Sequence, residues 1–125
     1  MQIEGVTSDG HEAAGTVDDS LNSSEGGDSP VAGHGNDRVD GANGDDLLYG
    51  GDGNDTILGN DGHDRVAAGD GHDRVNGGGG NDRLIGGDGR DSLMGGSGND
   101  IALGGDGDDY VNGQGGPRAT HAGKI

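Results

Sequence analysis

Cysteine, phenylalanine and tryptophan are absent from this chain, and its single lysine is Lys124. Without cysteine there are no disulfide staples and no thiolate zinc sites. Two tyrosines are the whole aromatic content and only 26% of residues are apolar, so a core of large side chains of the ordinary globular kind is out of reach. No apolar run approaches a signal-peptide core or the roughly 20 residues of a membrane helix, so neither a Sec-type signal nor a membrane span is expected. Positive charge is scarce as well: seven Lys and Arg stand against 24 Asp and Glu, a net charge of −17. There is no basic stripe for phosphate, which excludes nucleic acid as a partner. A compact form of so acidic a chain repels itself unless cations neutralise it.

What the chain does hold is glycine, 33 of its 125 residues, and the glycine is in phase. Residues 32–112 divide into nine consecutive units of nine residues without an insertion, beginning at Ala32, Gly41, Gly50, Gly59, Ala68, Gly77, Gly86, Gly95 and Gly104. The fourth position is Gly in every unit: Gly35, Gly44, Gly53, Gly62, Gly71, Gly80, Gly89, Gly98 and Gly107. The sixth is always Asp: Asp37, Asp46, Asp55, Asp64, Asp73, Asp82, Asp91, Asp100 and Asp109. The eighth is aliphatic, namely Val39, Leu48, Ile57, Val66, Val75, Leu84, Leu93, Ala102 and Val111. The unit is therefore G-G-x-G-x-D-x-U-x, with U apolar.

Six residues rich in Gly, Asn and Asp predict a turn, and the three residues x-U-x predict a minimal strand whose U side chain points inward. Two units then close one coil of 18 residues, so alternate units stack as two parallel sheets with the U residues between them. One small aliphatic side chain per unit is a thin core, and stacked aspartates oppose folding. A hard divalent cation removes that opposition. Ca²⁺ takes about six to eight oxygens, and glycine turns expose main-chain carbonyls with no side chain in the way.

This unit resembles the Ca²⁺-binding nonapeptide repeat of the RTX (repeats-in-toxin) family. The resemblance spans nine units of nine residues, 81 of 125. It implies an all-β fold, a parallel β-roll that is a calcium-bound β-solenoid with two units per coil. Each ion would lie between a loop and the equivalent loop one coil later. The earlier loop would give the carbonyls of positions two and four and its Asp, the later loop those of positions one and three and its Asp. On one edge this implicates Gly33 and Gly35, then Gly50, Gly51, Asp52 and Gly53, then Ala68, Gly69, Asp70 and Gly71, then Gly86, Gly87, Asp88 and Gly89, and finally Gly104 and Asp106. On the other edge it implicates Ala42 and Gly44, then Gly59, Asn60, Asp61 and Gly62, then Gly77, Gly78, Gly79 and Gly80, and finally Gly95 and Ser97. Four gaps on the first edge and three on the second give about seven calcium ions. Residues 32–112 carry 17 Asp and five Arg, 17 − 5 = 12 net negative charges, which seven divalent ions would roughly neutralise. Carbonyl-rich sites favour Ca²⁺ over the smaller, more tightly hydrated Mg²⁺.

Departures from the pattern are few. Ala32, Ala42, Asn60 and Ala68 stand where it has Gly, and looser loops are expected there because a left-handed backbone angle strains a residue with a Cβ. The side chains at position three are expected in solvent. His63 and His72 share position five in successive units, which fall on opposite edges, so they are not expected to converge on a transition metal.

Residues 1–31 hold seven acidic side chains, no Lys or Arg and no periodicity, and read as a disordered acidic tail with Pro30 at its border. The roll is assigned to 32–116, since a tenth unit starts at Gly113 but meets Pro117 and Arg118 where x and Asp belong. Residues 117–125 form a short C-terminal tail, too short for the C-terminal secretion signal that RTX proteins carry. A secreted, extracellular location therefore rests on the resemblance alone.

No EF-hand glutamate, no G-K-S/T, no G-x-G-x-x-G, no H-E-x-x-H and no G-x-S-x-G occurs, so no enzymatic activity is expected. The resemblance implies a calcium-binding structural and folding module. An accessory module for a polysaccharide or protein partner is the alternative. Ice binding ranks third, because positions three and five lack a uniform rank of Thr or Asn. Sorting the outward positions seven and nine by sheet isolates one apolar row, Tyr49, Ala67, Ile85 and Leu103. It suggests a docking surface for a second roll, a neighbouring domain or the N-terminal tail.

Overall fold

A computed structural model of the chain describes residues 20–23 and 26–113 and the backbone of 120–121. The strands are β1 (Ser20–Asn22), β2 (Val31–His34), β3 (Arg38–Asp40), β4 (Leu47–Asp52), β5 (Thr56–Asp61), β6 (Arg65–Asp70), β7 (Arg74–Gly79), β8 (Arg83–Asp88), β9 (Ser92–Ser97), β10 (Ile101–Asp106), β11 (Tyr110–Asn112) and β12 (Thr120–His121). Odd-numbered strands form one sheet in the order β1-β3-β5-β7-β9-β11, and even-numbered strands the other, β12-β10-β8-β6-β4-β2. Every pairing is parallel and in register at one coil, as in Val39 opposite Ile57 and Ile57 opposite Val75. The fold is a parallel β-roll, and no helix among the described residues is long and apolar enough to cross a membrane.

The eighth position fills the space between the sheets. Val39, Ile57, Val75 and Leu93 enter from the odd sheet and Leu48, Val66, Leu84 and Ala102 from the even one, none more than 2% exposed. Most strands are six residues long, not the three of x-U-x. They continue from position seven through U into positions one to three of the next unit, because glycine main chain with nothing attached pairs as well as any other. Gly51 thus faces Gly69, and Asp52 faces Asp70.

This extension gives the two opening positions of the unit different duties. Position one alternates inward beside U and is buried, whereas position two points out and takes a positive φ, 107° at Gly51. The four non-glycine exceptions divide accordingly. Ala32 and Ala68 occupy position one and are fully buried members of the core. Ala42 and Asn60 occupy position two with φ of 68° and 75°, the left-handed region that strains a residue with a Cβ. Looser structure is found at only one of the four. After Ala42 the ladder reduces to an isolated bridge from Asn43 to Asp61, so β3 stops at Asp40. Asn60 stays in a full-length strand, its side-chain amide donating to Asp40 Oδ1.

The stack also reaches further than periodicity suggests. Leu21 lies opposite Val39 and is fully buried, and Asp28 is 1% exposed. Residues 20–23 and 26–31 are therefore part of the roll, not of a disordered tail; residues 1–19 lie outside the described residues. Within 117–125 the backbone of Thr120–His121 pairs with Ala102 and Leu103. In phase, Gly26 and Asp28 are positions four and six of a unit starting at Ser23, whose eighth residue is Pro30. Pro30 breaks the aliphatic rule yet is buried. It tolerates the place because the strand it precedes starts only at Val31.

The split between positions one and two predicts opposite outcomes for two similar substitutions. In thermal unfolding with calcium present, Ala42→Gly should stabilise by up to about 1 kcal/mol through relief of the left-handed angle. Ala68→Gly should destabilise by about 1 kcal/mol, losing a buried methyl and gaining unfolded-state freedom.

Candidate metal centre

Along each edge of the roll runs a column of buried aspartates. Asp46, Asp55, Asp64, Asp73, Asp82, Asp91 and Asp100 are each no more than 3% exposed. One oxygen has a main-chain partner: Asp37 N donates to Asp55 Oδ1, Asp55 N to Asp73 Oδ1 and Asp73 N to Asp91 Oδ1, at 2.8 to 2.9 Å. The other edge repeats this with Asp28, Asp46, Asp64, Asp82 and Asp100. The second oxygen does not share in it. Oδ2 of Asp46, Asp55, Asp64, Asp73, Asp82, Asp91, Asp100 and Asp109 is buried without a hydrogen-bond partner among the described residues. A buried carboxylate oxygen without a donor is costly unless something positive lies against it.

The main chain around these oxygens supplies more acceptors. A Cβ built on Gly59 would meet the Gly77 carbonyl oxygen at 2.5 Å and also press on Asp64 Oδ2. The position-one carbonyl therefore points back toward the preceding coil, where that coil's free carboxylate oxygen lies. Carbonyls at positions two and four point forward instead: Gly33 O approaches Gly51 and Gly35 O approaches Gly53 so closely that neither residue has room for a Cβ. The position-three carbonyl points back, accepting from the position-four N–H one coil earlier, as Asp52 O does from Gly35 N at 3.0 Å. Two carbonyls from each loop thus turn into the gap between coils, beside a carboxylate from each.

Burial sets the acidity of the column. Desolvation, with further repulsion from neighbouring aspartates, pushes Asp64 and Asp73 up to about 7. Asp46, Asp55, Asp82 and Asp91 are raised to about 6, again chiefly by burial. No three His or acidic side chains converge among the described residues, so a metal held here must take most of its ligands from the main chain. Oxygen donors, two carboxylates per gap and no nitrogen or sulfur fit a hard divalent cation.

Position five forms a separate outer ladder. Asn54 N donates to Asn36 Oδ1, His72 N to Asn54 Oδ1 and Arg90 N to His72 Nδ1. His63 is engaged likewise by Asn81 N at 2.8 Å, on the opposite edge. The histidines act as hydrogen-bond acceptors and do not meet. Among the described residues, Asp28 is the candidate site residue that the nine-unit phase leaves out. Its signal, Gly26 two residues before it and Asp46 eighteen after it, is present in the sequence but masked by Pro30 at the apolar place.

The RTX calcium-binding nonapeptide repeat model matches the chain at residues 14–48, 24–57, 31–66, 49–84, 58–93 and 85–117. These matches cover most of the chain, and the protein belongs to that family, a calcium-binding structural repeat and not a catalytic one. No curated protein and no solved structure matches it.

Because the column's carboxyls hold protons more tightly in the folded state than at the ordinary value of 3.8, metal-free folding should weaken as pH rises from about 4 through about 7. Calcium and protons compete for the same oxygens. Calorimetry should therefore show weaker calcium binding at about pH 5 than at about pH 7.5, with protons released on binding. In chelator, β-structure by circular dichroism should change with pH in the opposite sense.

Proposed function

We propose that the chain is a non-catalytic module that folds by binding about eight calcium ions. The observation that carries this is the double column of buried carboxylates: Oδ2 of Asp46, Asp55, Asp64, Asp73, Asp82, Asp91, Asp100 and Asp109 lacks a donor among the described residues, and beside Asp46, Asp55, Asp64, Asp82, Asp91 and Asp100 lies a main-chain carbonyl of the next coil. Ligation is assigned to the position-six aspartates with the carbonyls of positions two and four of one loop and one and three of the next. For the first gap these are Gly33, Gly35 and Asp37 with Gly50, Asp52 and Asp55. Loops starting at 32, 50, 68, 86 and 104 make four gaps, and those at 23, 41, 59, 77 and 95 make four more once Asp28 is included. The total is one above the count from nine units.

Calcium supplies what the residues lack. It cancels the repulsion within each column and satisfies the second carboxylate oxygen, so binding free energy becomes folding free energy. Each interior aspartate borders two gaps, which makes loading cooperative along the stack. Proteins of this family are typically secreted. Such coupling suits export: the chain stays unfolded where calcium is scarce and folds outside, as a structural part of a secreted protein.

Stoichiometry by calorimetry tests the assignment. Asp73→Ala, mid-stack, should remove about two ions; Asp109→Ala, which borders one described gap, about one. Asp28→Ala should also remove about one. Equal losses at Asp73 and Asp109 would contradict shared ligands, and an unchanged count in Asp28→Ala would return the total to seven.

A further inference from the structure

The outer face of the even sheet repeats the same positions from coil to coil. Strands β4, β6, β8 and β10 show solvent positions seven, nine and two, and end on position three. Along the stack these become four parallel ranks. From β2 to β10 position nine is apolar, Val31, Tyr49, Ala67, Ile85 and Leu103 in register, and all but Ala67 are about 40% exposed; His121 of β12 follows Leu103 in the same register. Position seven places Arg65 beside Arg83, between Leu47 and Ile101. Position two is glycine in every described strand, a bare channel. Position three carries exposed carboxylates at Asp52, Asp70 and Asp88. No ion pair among the described residues engages Arg65, Arg83, Asp70 or Asp88.

We propose that two copies of the chain pack through this face, about a two-fold axis that runs along the position-nine rank parallel to the stack. That rotation lays the apolar rank on itself, coil against the same coil. It carries the arginine rank of each copy over the glycine channel of the other, with the guanidinium beside the carboxylate rank. Arg65 meets Asp70 of the second copy, and Arg83 meets Asp88. A two-fold axis along the strands would instead set Arg65 against Arg83 and Asp against Asp, which charge forbids. The odd sheet has no such complement. Its position two is occupied by Ala42 and Asn60, its position nine by Asp40 and Asn76 among others, and Gly79 and Ser97 stand at position three.

Strands about 20 Å long, five of them about 4.8 Å apart, offer on the order of 500 Å² per copy. A pair buries on the order of 1,000 Å², the lower end for a specific interface, so association is expected to be weak and concentration-dependent.

Sedimentation equilibrium of the full chain in calcium tests this, with circular dichroism on the same samples to report folding. The wild type should dimerise reversibly. Ile85→Asp with Leu103→Asp, and separately Arg65→Glu with Arg83→Glu, should weaken association at least about tenfold. Arg38→Glu with Arg74→Glu, on the odd sheet, should not. Because the chain has no cysteine, Ala67→Cys gives a second readout that needs no disruption: a short bismaleimide should join two copies efficiently through it, and poorly through Asn76→Cys on the odd sheet. A folded wild type that stays monomeric at high concentration overturns the proposal. So does equal cross-linking through the two faces, or equal sensitivity of the odd-sheet variants.

Discussion

Everything in this fold is arranged around carboxylates buried in files. An aspartate recurs at one place in each coil, and the stack spacing brings like charges together away from water. Burial and mutual repulsion raise Asp64 and Asp73 to about 7, an energetic conflict inside the structure. The two files of U side chains, one from each sheet, are too small to dominate it. In the ligation proposed, a divalent cation between successive aspartates would convert the repulsion into attraction, and the rest of the unit would make room for that ion.

The glycines follow from the same requirement. Position one is glycine in seven of the nine units, where a Cβ would press on the free carboxylate oxygen of its own unit, and nothing larger than the methyl of Ala32 or Ala68 stands there in the other two. Positions two and four adopt positive φ, which turns their carbonyls forward while those of one and three turn back. The result is an oxygen-rich gap without a polar side chain other than Asp. It selects against softer metals, and it explains why no cluster of three acidic or histidine side chains is found among the described residues. In the proposed ligation main-chain carbonyls make up most of the ligand set, so substitutions at glycine should harm calcium binding as surely as those at aspartate.

Periodicity made the two-sheet roll, the core file and the aspartate columns legible in the sequence, because each depends on phase alone. What was not legible depended on direction. Counting glycines cannot tell that Ala68 lies inward in the core while Ala42 lies on a left-handed bend, since both stand for the same letter in the pattern. Asp28 was hidden because Pro30 replaces the aliphatic residue by which a unit is recognised, although pairing of Leu21 with Val39 continues the stack through it. The apolar row was legible as a row. Its relation to the glycine channel and to Asp70 and Asp88 was not, because three-residue strands would have left those positions in the turn.

The central proposal is that calcium makes this roll stable. Thermal unfolding followed by far-ultraviolet circular dichroism, in excess calcium and in excess chelator at about pH 7.5, measures that directly. In calcium a β-rich spectrum with a cooperative transition is expected, and in chelator a spectrum of disordered chain with no transition. A cooperative transition of similar midpoint in chelator would contradict it.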